Sequence, residues 1–184
     1  AVPTKLVLLE GDGQTGSAGH LLSTPVKVLI LDDEDRPIAG YSVVFSVIAG
    51  GGTINGQQTV TLTTGANGEV SAPFTLGPVP GVINSMEASA RLNGAHLNDS
   101  PVIVSATAAP LSALQLADGN NQTGTVGTAL SQSLKARVID QLGAGIAGWP
   151  VTFTIKQGGG RFEGNLTSKT VGTDSLGFAL ISLT

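Results

Sequence analysis

The sequence predicts an all-β protein of two tandem β-sandwich modules, the second lacking its last two strands. Three observations predict this. Period-2 apolar runs bounded by Gly, Pro, Asn and Asp recur along the 184 residues, while helical periodicity is nearly absent. The chain repeats itself, since Gln14-Thr15-Gly16 returns as Gln122-Thr123-Gly124, an offset of 122 − 14 = 108 residues. The second copy then stops after the residues that match Thr75 of the first.

The offset runs through many positions. Gly19 returns as Gly127, Lys27 as Lys135, Asp32 as Asp140, and Ile38-Ala39-Gly40 as Ile146-Ala147-Gly148. Val43 and Phe45 return as Val151 and Phe153, and Gly50-Gly51-Gly52 as Gly158-Gly159-Gly160. Solenoid repeats run roughly 20–50 residues, so a period this long is a whole domain. The modules are residues 1–109 and 110–184, joined through Ala108-Ala109-Pro110.

The first module divides into seven predicted strands, enough for a β-sandwich. Lys5–Leu9 is the first. Pro25–Asp32 alternates Val26, Val28 and Ile30 against Lys27, Leu29 and Leu31. Tyr41–Ile48 sets Val43, Phe45 and Val47 on one face, and Thr59–Thr64 is Thr-rich and alternating. Asn67-Gly68 makes a tight turn, since both residues tolerate positive φ. Glu69–Leu76 points Val70, Ala72, Phe74 and Leu76 inward. Val82–Leu92, with Met86 and Ala88 inward, and Pro101–Thr107 complete the module.

In the second module the predicted core is Ala136, Val138, Val151, Phe153, Ile155, Ala179 and Ile181. Gly177 matches Gly68 after a one-residue insertion, and nothing matches Val82–Leu92 or Pro101–Thr107. A sandwich without them exposes core and a sheet edge. Two readings follow: this is a piece of a longer protein, or another subunit donates strands.

Composition excludes several functions. Charged residues are 12% and hydrophobic residues 41%, too apolar for disorder. A net charge of −4 disfavours nucleic acid, whose phosphates need clustered Lys and Arg. With no cysteine there is no disulfide, thiol nucleophile or cysteine metal site. No apolar run reaches the roughly 18 residues of a membrane helix, so direct membrane insertion is not expected.

The ordered set of Gly11–Gly16, an apolar strand ending in Asp32, Pro37-Ile38-Ala39-Gly40, Val43-Val44-Phe45 and Gly50-Gly51-Gly52 resembles the bacterial Ig-like domains of the invasin/intimin type. Asn67-Gly68-Glu69-Val70, Leu76-Gly77 and Met86–Ala90 continue the resemblance. It implies immunoglobulin-like sandwiches, repeated in long extracellular or surface proteins of bacteria, where such modules act as stalks presenting something else. It carries no catalytic residues. The implied partners are neighbouring Ig-like modules of the same or another chain, and a host or matrix ligand reached through other domains.

Candidate chemistry is sparse. Gly11-Asp12-Gly13-Gln14-Thr15-Gly16 spells G-x-G-x-x-G, but a dinucleotide site needs a helix next, and Ser17–Ser23 leads into Pro25 instead. Asp32, Asp33 and Asp35, with Glu34, offer hard oxygens to Ca²⁺, although the spacing is not an EF-hand and only Asp32 recurs. Asp140 caps its turn through its own backbone in the competing reading. Glu10, Asp12, Asn98 and Asp99 meet only by folding. His20 and His96 have no metal-ligand spacing and no copies. Lys27 and Lys135 fall out of phase with the core and face solvent, against a buried Lys–Asn crosslink. Tyr41 and Trp149 share one position, where packing over the adjacent hairpin is expected. No enzyme and no cofactor are expected. The functional expectation is a structural repeat of an adhesin-like protein. The alternatives are a filament subunit assembled by β-strand donation, and a carbohydrate- or protein-binding module.

Overall fold

The computed structural model describes residues 1–184, which form two compact units, Ala1–Ala109 and Pro110–Thr184. Both are built of strands alone. Unit 1 runs β1 (Lys5–Glu10), β2 (Gln14–Gly16), β3 (Val26–Leu31), β4 (Ser42–Ala49), β5 (Thr59–Thr63), β6 (Glu69–Ala72), β7 (Ile83–Ser89), β8 (Arg91–Leu92), β9 (Ala95–His96) and β10 (Val102–Ala108). One sheet has the order β1-β3-β6, the other β2-β10-β7-β4-β5, and β8-β9 is a separate hairpin.

Alternation decides which face is buried. Leu6, Val26, Val28, Ile30, Val70 and Ala72 point inward from the first sheet, and Val43, Phe45, Met86, Ala88, Val104 and Ala106 from the second. All twelve are buried. β6 stops at Ala72 because Pro73 has no N–H for the ladder. Phe74 and Leu76 still reach the core from the irregular stretch that follows.

The observed strands number ten, against seven expected. Val82–Leu92 divides into β7 and β8, and two short strands, β2 and β9, are additional. Val47, expected in the core, is half-buried, because the β4–β7 register shifts between Val47 and Ala49. At the Asn67-Gly68 turn only Gly68 takes positive φ, +74°, while Asn67 accepts the Glu69 N–H at 3.2 Å. An added Cβ on Gly68 would stand 2.7 Å from Pro37 Cβ, so the turn and the Pro37 loop fit only through glycine.

Unit 2 runs β11 (Leu111–Asp118), β12 (Leu134–Asp140), β13 (Pro150–Thr154), β14 (Ser168–Gly172) and β15 (Phe178–Ile181). Its sheets are β11-β12-β15 and β13-β14. They repeat β1-β3-β6 and β4-β5, with no counterpart of β7 or β10. Ala136, Val138, Val151, Ala179 and Ile181 are buried, but Phe153 and Ile155 are only half-buried. In unit 1, β7 runs alongside the matching stretch of β4 and pairs Ala88 with Phe45. Unit 2 has nothing in that place.

Candidate interaction surface

The residues that recur between the copies are spent on holding the module. Gln14 Nε2 donates to the Gly11 and Thr24 carbonyls at 2.8 Å each, and its Oε1 accepts the Thr24 N–H at 3.1 Å. Gln122 does the same, donating to Gly119 at 2.7 Å and Gln132 at 2.9 Å and accepting the Gln132 N–H at 2.9 Å. Each glutamine staples the loop that leaves the first strand to the approach of the next. Gly11 and Gly119 begin these loops at φ of +104° and +83°, and an added Cβ would lie 2.6 Å from Val26 Cα or 2.8 Å from Leu134 Cα.

Asp32 and Asp140 close the next loop. Asp32 Oδ1 accepts the N–H groups of Glu34 at 3.0 Å and Arg36 at 2.9 Å. Asp140 Oδ1 accepts those of Leu142 and Ala144, both at 2.9 Å. The second oxygen differs, since Asp32 Oδ2 takes the Arg36 Nε at 2.9 Å while Asp140 Oδ2 is buried without a partner. The Arg36 N–H is the largest influence holding the Asp32 carboxyl below the usual aspartate range. Thr64 and Thr173 form a third pair. Their hydroxyls donate to Ile38 O at 2.7 Å and Ile146 O at 2.5 Å, and accept the N–H of Tyr41 at 2.9 Å and Trp149 at 2.8 Å. Sequence reasoning missed the glutamine and threonine roles. The signal was present, because Thr64 and Thr173 are separated by 173 − 64 = 109, the same shift as Gly68 and Gly177.

What distinguishes the copies is an open side on unit 2. In unit 1, β4 lies between β5 and β7, and its partners on the β7 side run from Val44↔Ser89 to Ala49↔Ser85. The matching β13 pairs only β14. The inner face beside it is bare. Leu6 is 1% exposed, but its copy Leu114 is 63% exposed and Leu116 62%. A cavity of about 290 Å³ runs between the sheets here, lined by Leu111, Leu114, Val138, Trp149, Pro150 and Val151 among others. Away from this face, in the loop after β11, Val126 is 99% exposed where its copy Ala18 is 6%.

This architecture has known counterparts. No family model matches the sequence, and no curated protein matches it. Among solved structures, the bacterial integrin-binding protein invasin superposes with a TM-score of 0.57 at 20% identity, over 98% of this chain and 33% of that one. The fold of this chain is that of the invasin-type bacterial Ig-like domains. The chain spans about a third of that structure's length, 33%. Two adhesins align more loosely: Escherichia coli FdeC at TM-score 0.43 and 21% identity, over 100% of this chain and 57% of that one, and Yersinia pseudotuberculosis InvE at 0.45 and 18%, over 97% and 51%.

The invasin-type fold disperses the remaining sequence candidates. Asp32 is buried with its oxygens engaged in its own loop, and Asp33 and Asp35 sit exposed, with no group of three acidic or histidine side chains converging to hold a metal ion. The second half of the G-x-G-x-x-G stretch is itself strand β2, and no helix follows it. Glu10 pairs with Lys27 at 3.1 Å, and Asp12 accepts the Ser105 N–H at 2.9 Å. Asn98 bridges Lys5, at the opposite end of β1 from Glu10, so those acids and amides do not gather. Lys135 rests its ammonium 4.0 Å from the Phe178 ring centre. Tyr41 Oη donates to Arg91 O at 2.6 Å, over the β8-β9 hairpin. His96 Nδ1 lies 3.3 Å from Ser100 Oγ, which already bonds the Ala90 N–H and carbonyl.

Proposed function

We propose that this chain is a non-enzymatic structural segment, a spacer in a stalk, of a bacterial extracellular or cell-surface protein of adhesin type. The observation that carries the reading is how the repeated residues are used. Gln14, Asp32, Thr64 and their copies Gln122, Asp140 and Thr173 bond their own loops rather than converging on a ligand. Selection that keeps such residues twice preserves a module. A module multiplied in tandem supplies length and spacing. The similarity to invasin supports the setting, since that protein is a bacterial integrin-binding protein into which this fold is built. Its direct partners are then neighbouring Ig-like modules, and any host or matrix ligand is met through other domains.

The test is binding by the purified chain to glycan and matrix-protein arrays, beside whole cells displaying the parent protein with one module deleted. No saturable ligand for the chain, and shortened reach with unchanged ligand choice on cells, is the expected outcome. A saturable glycan or protein ligand for the chain itself would replace the stalk with a binding module. A second reading, a filament subunit assembled by strand donation, draws on the open edge of β13. Filaments of the purified chain under the electron microscope would favour it.

A further inference from the structure

Asn-Gly occurs at Asn55-Gly56, Asn67-Gly68 and Asn93-Gly94, each time in unit 1. In this dipeptide the side-chain amide and the following backbone nitrogen meet with least hindrance, because glycine has no Cβ. The fold treats the copies differently. Asn55-Gly56 and Asn93-Gly94 are two-residue hairpin tips, with φ of 51° and 77° at the first and 50° and 85° at the second. Nothing bonds the Gly56 or Gly94 N–H, neither asparagine side chain has a partner, and all four residues are exposed. At Asn67-Gly68 both groups are engaged. The Gly68 N–H donates to Gly65 O at 2.9 Å, and Asn67 Oδ1 accepts the Glu69 N–H at 3.2 Å. Gly68 is also buried, against Pro37.

We propose that Asn93 and Asn55 are sites of spontaneous deamidation, and that the fold shields Asn67 from the same reaction. The Gly94 nitrogen attacks Asn93 Cγ. The N–Cγ bond forms as the Cγ–Nδ2 bond breaks, and the side-chain nitrogen leaves as ammonia with the proton shed by the Gly94 N–H. Proximity favours this closure, since the reacting groups belong to adjacent residues. Water then opens the cyclic imide at either carbonyl. One opening gives aspartate, and the other gives isoaspartate, whose main chain runs through Cβ. Gly56 and Asn55 react in the same way. Water is the one co-reactant. Each event adds a negative charge to the net −4 of the chain.

The ring closes only when the Asn–Gly peptide leaves its turn geometry, so the rate follows how easily each tip opens. The β8-β9 hairpin holds only the pairs Arg91↔His96 and Leu92↔Ala95, and none of these residues is buried. A ribbon that short is weakly held. Asn55 instead follows the buried Ile54, whose N–H and carbonyl bond Gln57 at 2.8 and 3.0 Å. The order of reaction is therefore Asn93, then Asn55, with Asn67 last.

The test is timed incubation of the full chain in warm, mildly alkaline buffer, folded and in urea, with peptide mass mapping of the three sites. Exchange of NH for O marks each event. In the urea-unfolded chain the three sites should react at similar rates, since they share one dipeptide. In the folded chain Asn93 should lead, Asn55 follow, and Asn67 lag Asn93 by about tenfold or more, the rate equivalent of one to two hydrogen bonds. Asn67 reacting as fast as Asn93 in the folded chain would overturn the shielding. A folded chain inert at Asn93 or Asn55, while the unfolded chain reacts there, would overturn that site. Asn55 running ahead of Asn93 would overturn the ordering by hairpin strength.

Discussion

Leu6 and Leu114 stand at the same place in two copies of one module, and one is buried while the other is bare. The difference lies in what stands opposite. Unit 1 covers its inner face with β7 and β10, and unit 2 has neither. The contrast separates two kinds of structure. Gln14-Thr15-Gly16 is a strand, paired parallel to Ala106–Ala108 of β10. The identical Gln122-Thr123-Gly124 is not, because its partner is missing. Yet the glutamine makes the same three hydrogen bonds in both copies. Loop staples are local and survive without neighbours, whereas strands and cores depend on what packs across from them.

The largest break in the comparison comes from the core. Leu6→Ala should cost about 2–5 kcal/mol, and Phe45→Ala about 3–5 kcal/mol, by the large-to-small rule. Leu114→Ala in monomeric chain should cost about 0.5 kcal/mol or less, as for an exposed site. Phe153→Ala should fall between, since its ring is half-buried. The chain has one Tyr, Tyr41 in unit 1, and one Trp, Trp149 in unit 2, so urea melts followed by each fluorophore resolve the units. Equal losses at Leu6 and Leu114 would show that the inner face of unit 2 is covered after all.

Gln14→Ala and Gln122→Ala sharpen the comparison from the other side. Each removes three hydrogen bonds at a half-buried site, and each should cost about 1–3 kcal/mol. The two losses should agree within about 0.5 kcal/mol, because neither staple calls on β7 or β10. A Gln122 loss far below that of Gln14 would mean that the staple's strength is borrowed from the tertiary cover.

The sequence was legible where local pattern decides. The seven expected strands all appear within a few residues of their bounds, except that β6 ends at Ala72 instead of Leu76. The proline at 73 was visible, but the inward alternation of Phe74 and Leu76 outweighed it, and those side chains are indeed buried without strand pairing. The absent strands of the second copy were legible from the alignment of Gly177 with Gly68. Burial of Phe153 and Ile155 was not, because it depends on a strand alongside β13 that no residue near them encodes. Strand β2 was hidden for the same reason, since Gly11–Gly16 reads as a glycine-rich loop until β10 is placed beside it. The candidate interaction surface itself was half legible: the alignment marked an open edge, but only the three-dimensional order of strands shows that β13 alone is open where its copy is interior.

The smallest effect lies in the acid limb, where the units use different turns. In unit 1 the relevant carboxylate is Asp32, and in unit 2 it is Asp174, whose Oδ1 accepts the N–H groups of Leu176 and Phe178 at 2.9 Å each. The Phe178 N–H is the largest influence holding the Asp174 carboxyl below its ordinary range, with burial opposing and Lys135 helping. A carboxyl with a depressed folded value binds its proton more readily in the unfolded chain. It therefore stabilises the fold above the ordinary aspartate range, near pH 4, and this contribution fades as pH falls through the folded value. Asp174→Asn keeps an oxygen to accept both N–H groups but has no charge to titrate. At neutral pH the variant should melt below the parent by this charge-dependent contribution, and the two should converge as pH falls through the folded value. Below about pH 4 the Trp149-monitored loss of stability should be shallower than in the parent, while the Tyr41-monitored limb, governed by Asp32, stays where it was. Movement of both limbs together would show that the two turns titrate as one system, and that the units are less independent than their separate hydrogen bonds imply.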